Sequence, residues 1–287
     1  MVVIVCIMAH AERPAPLGPT NSVIKLFNGK DLFGFHTWLV DTKGEDPRHV
    51  FTVTNGMIRV SGEGLGYLST DREYQNYHLI AEFKWGERNW SWGDRLGKAR
   101  DSGIFLHSIG PEGNSQDGNG AFKAAIECQI MQGAVGDLLL IRGSHDDGSL
   151  ISPRFTVPVY VRADENVEGV TRETHVMRDA DGWPYWREDG KHERLERWGR
   201  VNWRDKAREW KDVLDFRGPT DAASPSSLWT RVECICANDD LTIRVNGKLV
   251  NGASGIFPSS GKILLQCEGS EIFFRRLELR PLKEARR

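Results

Sequence analysis

Two Asn-Gly pairs, each set between short runs of strand-forming residues, constrain this chain more than any other feature. Asn55-Gly56 separates Phe51-Thr52-Val53 from Met57-Ile58-Arg59, and Asn246-Gly247 separates Leu241–Val245 from Lys248–Val250. Asn and Gly both tolerate the positive φ of a type I′ turn, whose twist matches that of two paired strands. Each pair therefore predicts a tight antiparallel hairpin. Further strand-like runs follow one another at Ile24–Phe27, Gly66–Ser69, Tyr77–Trp85, Gly103–His107, Ala125–Met131, Gly261–Cys267 and Glu271–Leu279, bounded by Gly, Asn, Asp or Pro. Thirty Gly and twelve Pro punctuate the chain and no sustained helical period appears. The expectation is an all-β sandwich, with no repeat of propeller or solenoid length.

Between about Arg142 and Ser227 the texture changes. Charged residues and five tryptophans, Trp183, Trp186, Trp198, Trp203 and Trp210, replace the apolar alternation. A structureless loop of that length is unusual in a compact domain, so this stretch reads as an insertion packed over one face by its tryptophans. One short helix is expected around Arg204 to Leu214. The domain plan is then a lead over residues 1–19 and a single domain over residues 20–287.

The lead opens with the apolar run Met1 to Met8, followed by Ala9-His10-Ala11 and a Pro-rich stretch to Pro19. It has the look of the end of a secretory signal, though without a basic segment before it, and is too short for a membrane anchor. The expected location is secreted or periplasmic, with no membrane span. Removing Cys6 leaves Cys128, Cys234, Cys236 and Cys267; their spacing does not fix a disulfide or a zinc site, and buried thiols on strands are the plainer reading. The 38 basic and 40 acidic residues leave a net charge of -2, which excludes a general attraction to nucleic acid.

Chemistry-bearing side chains collect on three of the runs. Period-2 alternation puts Asp101, Gly103, Phe105 and His107 on one face, Glu127 and Gln129 on one face, and Gln266 and Glu268 on one face. The opposite positions, Ile104, Leu106, Ile126, Cys128, Ile130, Leu265 and Cys267, should point into the sandwich. Such alternation is also the ordinary pattern of half-solvated strands. Lys84, between Phe83 and Trp85, and His145 in His145-Asp146-Asp147-Gly148 are further candidates for substrate contact, against a solvated lysine and a plain turn. Trp85, Trp90, Trp92 and the insertion tryptophans offer flat faces for sugar rings.

Four segments in order, Leu26–Leu32 (Leu-Phe-Asn-Gly-Lys-Asp-Leu), Asp101–Ile104, Ile126–Ile130 and Ile263–Gly269 with Ile272–Leu277, resemble the bacterial 3-keto-disaccharide hydrolase family. The resemblance runs from about Leu26 to Leu282, outside the Trp-rich insertion. It implies a concanavalin-like jelly roll similar to that of laminarinases, and extracytoplasmic sugar chemistry. Family members usually read Asn-Ser-Gly-Ile followed by an Arg, and carry a His before the glycine of the last motif. This chain has Asp101, then His107, and Glu268 at those places.

What the resemblance implies is cleavage of the glycosidic bond of 3-keto-glycosides. The ketone acidifies the hydrogen on C2, so a tuned His or carboxylate can remove it while the C1 substituent leaves. His107 and Glu268 are the candidate bases, with Glu127 a third catalytic candidate, and Asp101, Gln129, Lys84, Gln266 and His145 candidates for holding the sugar. A divalent metal on Glu127, Gln129 and His107 would polarise the ketone as a Lewis acid; no organic cofactor is implied. The keto-sugar would come from a sugar 3-dehydrogenase acting earlier. Two other classes compete: a non-catalytic carbohydrate-binding module of the same fold, and a conventional glycoside hydrolase with paired carboxylates. The second is disfavoured by the Glu127 strand, which carries Gln129 and Met131 where a second carboxylate would be expected.

Overall fold

Asn55 and Gly56 adopt φ values of 49° and 72°, and Asn246 and Gly247 of 49° and 81°. The hairpins they close are Phe51–Thr54 with Met57–Val60 and Asp240–Val245 with Lys248–Phe257. These belong to a computed structural model that describes residues 14–163 and 174–282. The signal-like run and Cys6 lie outside those residues. Among the described residues no helix is long and apolar enough to cross a membrane.

Two large antiparallel sheets pack face to face as a concanavalin-like jelly roll. One has seven strands in the order Gly199–Val201, Leu138–Ile141, Ala125–Met131, Asp101–Ser108, Lys262–Glu268, Leu65–Thr70, Phe35–Leu39. The other has ten, with Tyr77–Asn89 and Ser270–Arg280 at its centre and Lys191–Glu196 at one edge. Ile104, Leu106, Ile126, Cys128, Ile130, Leu265 and Cys267 all enter the shared core, facing Leu79, Val232 and Phe274 among others from the second sheet. Alternation thus sorted these strands correctly, because the side-chain period of 2 leaves each strand one apolar face to bury. Cys128, Cys234, Cys236 and Cys267 are free thiols in that core.

Two expectations for the insertion change. It is not a cover laid over finished sheets: Arg154–Val159 and Lys191–Glu196 extend the ten-stranded sheet, and Gly199–Val201 extends the seven-stranded one. The segment Arg204–Leu214 is a series of turns, not a helix. Its chain is held by side chains instead, Trp203 Nε1 donating to Gly133 O at 3.2 Å and Trp210 Nε1 to Gln132 O at 2.9 Å. Phe35–Leu39, pairing with Leu65–Thr70, is a strand that the sequence pattern did not reveal; four of its five residues are only half-buried, so no alternation marks it.

Candidate active site

The outer face of the seven-stranded sheet gathers most of the polar candidates in a lattice set by strand register. Phe105 pairs with Glu127 and Gly103 with Gln129, while Glu127 pairs in turn with Leu139 and Leu139 with Arg200. On the other side Leu264 pairs with Phe105, and that register continued brings Gln266 beside Gly103 and Glu268 beside Asp101. Adjacent strands lie about 4.8 Å apart. Asp101, Glu127, Gln129, Gln266 and Glu268 therefore share one cavity of about 300 Å³, rimmed by Trp183 and Trp198 from the insertion.

Gly103 lies beneath two of these side chains. A Cβ there would collide with Glu127 Oε1 and lie 3.1 Å from Gln266 Oε1, so both side chains lean over the space a larger residue would fill. Asp101 Oδ1, Glu127 Oε1, Gln129 Oε1 and Gln266 Oε1 are buried without a hydrogen-bond partner. Buried polar atoms are seldom left so in a finished core, and several converging on one cavity mark a place where a polar ligand or water completes the bonding. Gln266 Nε2 donates to Glu268 Oε2 at 2.8 Å, which fixes the Glu268 carboxyl at the mouth.

Burial and mutual repulsion set the charges. Burial, followed by the nearby Glu268 charge, holds Asp101 well above the usual carboxylate range; burial, then Asp101 and Glu268, does the same to Glu127. Burial pushes Glu268 up to about 7, opposed by the Arg95 guanidinium. Arg95 Nη1 stands 3.7 Å from Asp101 Oδ2 but is committed to Asp212 by two bonds of 3.1 Å. The cavity thus sets two carboxyls whose burial favours the protonated form beside one raised to about 7.

His107 does not join this group. Leu264 pairs with Phe105 but Lys262 with Ser108, so two residues oppose one and the strand bulges at Leu106-His107. His107 takes φ of 54° there, and its ring turns inward, 5.4 Å from the Tyr77 ring in edge-on contact. Nδ1 lies 3.2 Å from the Pro258 carbonyl, and burial lowers the imidazole to about 4, so it is neutral. The alternation rule fails here because one extra residue reverses every face beyond it. His107 is accordingly neither base nor ligand on this face. The metal set Glu127, Gln129 and His107 does not fit this geometry. Among the described residues no three His, Cys, Asp or Glu side chains are grouped as ligands would be.

Two more candidates stand elsewhere. Lys84 lies on the outer face of the other sheet, with Nζ 5.3 Å from the Trp229 ring centre, beside a separate cavity of about 780 Å³. His145 is exposed in a turn closed by its own N–H to Ser149 O at 2.8 Å and by Gly148 N–H to His145 O at 3.0 Å, the plain turn its sequence allows. Of the tryptophans, Trp85, Trp186 and Trp203 are core residues, whereas Trp183 and Trp198 meet edge-on at 4.7 Å over the cavity.

Sequence reasoning missed Arg200. It sits on Gly199–Val201, two strands from Glu127, and lines the cavity. Both Nε and Nη2 donate to Asp137 Oδ2, at 2.8 and 2.6 Å. Three residues of alternation in a charged stretch carry too little signal to place such a strand.

Among curated proteins none matches the chain by sequence. Solved structures with similar chain courses include a protein of Parabacteroides distasonis ATCC 8503 to which a glycosyl hydrolase activity has been attributed. It is 14% identical, with 91% of this chain and 94% of that one covered and a TM-score of 0.45. They also include the Bacillus licheniformis β-glucanase, 9% identical, covering 92% and 99%, with a TM-score of 0.42. A third is the carbohydrate-binding module CBM66 of Bacillus subtilis, 9% identical, covering 85% and 94%, with a TM-score of 0.37. The model of the 3-keto-alpha-glucoside-1,2-lyase-like domain matches residues 22–280, which takes in every strand of both sheets and the cavity between Asp101 and Glu268. The chain is a carbohydrate-active protein of the glycoside-hydrolase-like kind, and it belongs to the 3-keto-alpha-glucoside-1,2-lyase-like family.

Proposed function

We propose that the protein is an enzyme that breaks the glycosidic bond of 3-keto-glycosides by elimination, with hydration of the product to follow. The observation that carries this reading is the juxtaposition, in one Trp-rimmed cavity, of a carboxyl raised to about 7 with two carboxyls that burial pushes above the usual carboxylate range. Titratable groups pushed to different values side by side are how one site supplies base and acid together. Glu268, ionised, takes the proton from C2; the electron pair moves onto the C3 oxygen, giving the enolate. Collapse of the enolate re-forms the ketone, makes the C1–C2 double bond and breaks the bond from C1 to the glycosidic oxygen. That oxygen takes a proton from Asp101 or Glu127. Gln129 and Gln266 hold hydroxyls, and Trp183 and Trp198 cover the ring. No step is routed through a metal.

The substrate's ketone has to be made by oxidation of a C3 hydroxyl, so a sugar 3-dehydrogenase acts before this enzyme. The proposed location is secreted or periplasmic, where glycosides are met. A second reading, a conventional glycoside hydrolase, gains from one observation: neighbouring strands supply the partners of Glu127 that its own strand lacks. The test is to incubate the purified protein with methyl 3-keto-glucoside and with methyl glucoside and follow methanol release. The elimination reading expects turnover of the ketone and almost none of the parent. Equal rates on both would favour the conventional hydrolase, and no release from either would leave a binding module.

A further inference from the structure

The proposed reaction places negative charge on the sugar's C3 oxygen, while the neighbouring carboxyls are assigned to taking the C2 proton and protonating the leaving oxygen. A cation or strong donor aimed at that oxygen is required. Arg95 is the nearest cation to Asp101, but its Nη1 and Nη2 bind Asp212 and its Nε donates to Gly93 O at 3.1 Å. Lys206 is buried and spent on Asp137 at 3.0 Å and Asn202 at 2.7 Å. Arg200 is different. Its Nε and Nη2 are fixed on Asp137, while Nη1 has no hydrogen-bond partner among the described residues, and the side chain, 18% exposed, borders the cavity.

The anchor is unusually firm. Asp137 is fully buried and accepts from Arg200, from Lys206 and, through Oδ1, from the Trp203 N–H at 2.7 Å. A guanidinium clamped by two of its nitrogens has lost its rotamer freedom before a ligand arrives, so its remaining N–H groups point in a set direction at no further entropic cost. Resting on the reading above, we propose that Arg200 is the ketone-recognising residue of this enzyme: Nη1 donates to the C3 carbonyl oxygen and holds it more strongly as it becomes the enolate. No proton is transferred in this contact; the C2 proton goes to Glu268 and the leaving oxygen takes its own from Asp101 or Glu127. The Trp-rich insertion then supplies both the cover of the cavity and the group that tells oxidised from unoxidised sugar.

The test uses ligands without a leaving group, 3-keto-1,5-anhydroglucitol and 1,5-anhydroglucitol, titrated calorimetrically into the full-length protein. Wild type is expected to bind the ketone at least tenfold more tightly than the alcohol. Arg200→Met should bring the two affinities within about twofold while leaving the alcohol's affinity nearly unchanged. Its rate on methyl 3-keto-glucoside should fall about 10²- to 10³-fold, the range for loss of one oxyanion donor. Arg200→Lys, which keeps the charge on Asp137 and so protects folding, should lose most of the preference too, since a single ammonium cannot serve Asp137 and the ligand at once. Preference retained in either folded variant, or absent in wild type, would overturn the assignment. Methanol release by wild type judges the elimination reading separately, so release without an Arg200 effect sinks the recognition role alone.

Discussion

Glu268→Gln separates a functional carboxyl from a structural one, because the two roles move stability in opposite directions. Burial raises the Glu268 carboxyl from 4.5 to about 7. At about 1.36 kcal/mol per tenfold change in acidity, ionising it in the folded state costs roughly 3 kcal/mol, less whatever the open mouth of the cavity allows water to screen. A raised carboxyl binds its proton more tightly folded than unfolded. Its effect on stability is therefore nil below pH 4.5, and stability is lost as pH rises from 4.5 through about 7. Glutamine carries no such cost and its amide oxygen still accepts from Gln266 Nε2. The variant should match wild type at pH 4 and exceed it at pH 8 by up to roughly 3 kcal/mol, several degrees in Tm for a domain of this size. Scanning calorimetry at the two values reads this directly. The same variant should lose about 10² to 10⁴ in the rate on a 3-keto-glucoside. A Tm difference that is the same at both pH values would refute the raised carboxyl, and with it Glu268 as the base.

Three further outcomes are expected. His107→Asn, whose side chain tolerates the positive φ at that position, should cost about 1–3 kcal/mol of stability in urea unfolding while kcat/KM stays within about threefold. A folded variant slowed a hundredfold would put the imidazole back in the site. Asp137→Asn leaves Arg200 and Lys206 without their buried counter-charge and should destabilise the protein by about 3–5 kcal/mol, checked by the urea midpoint. Trp198→Ala, which removes an exposed ring at the cavity rim, should raise KM about five- to tenfold with kcat little changed, the size of one lost sugar-stacking face of about 1 kcal/mol.

Much of the fold was legible in the residues because its signals are local. The Asn-Gly turns at 55–56 and 246–247 need only their own backbone freedom. The inward faces of Asp101–Ser108, Ala125–Met131 and Lys262–Glu268 need only the period of a strand. That period also placed Asp101, Glu127, Gln129, Gln266 and Glu268 on common faces. What it did not contain was the register between strands, which brings those three faces together over Gly103, nor the bulge at Leu106-His107, a two-against-one mismatch with Lys262–Leu264 that exists only once the strands pair. Local alternation put His107 with the carboxyls; pairing put it against Tyr77 in the core. Arg200 shows the same limit from the other side. Gly199–Val201 is too short to announce itself, and it becomes a strand only because Leu138–Ile141 offers an edge to pair with and Asp137 a buried charge to neutralise. The sequence by itself determined the strands that carry apolar alternation or an Asn-Gly turn, and which way most of those face; the tertiary structure decided the short strands such as Gly199–Val201 and which residues meet, because register, bulges and buried ion pairs are properties of two segments in contact and are written in neither alone.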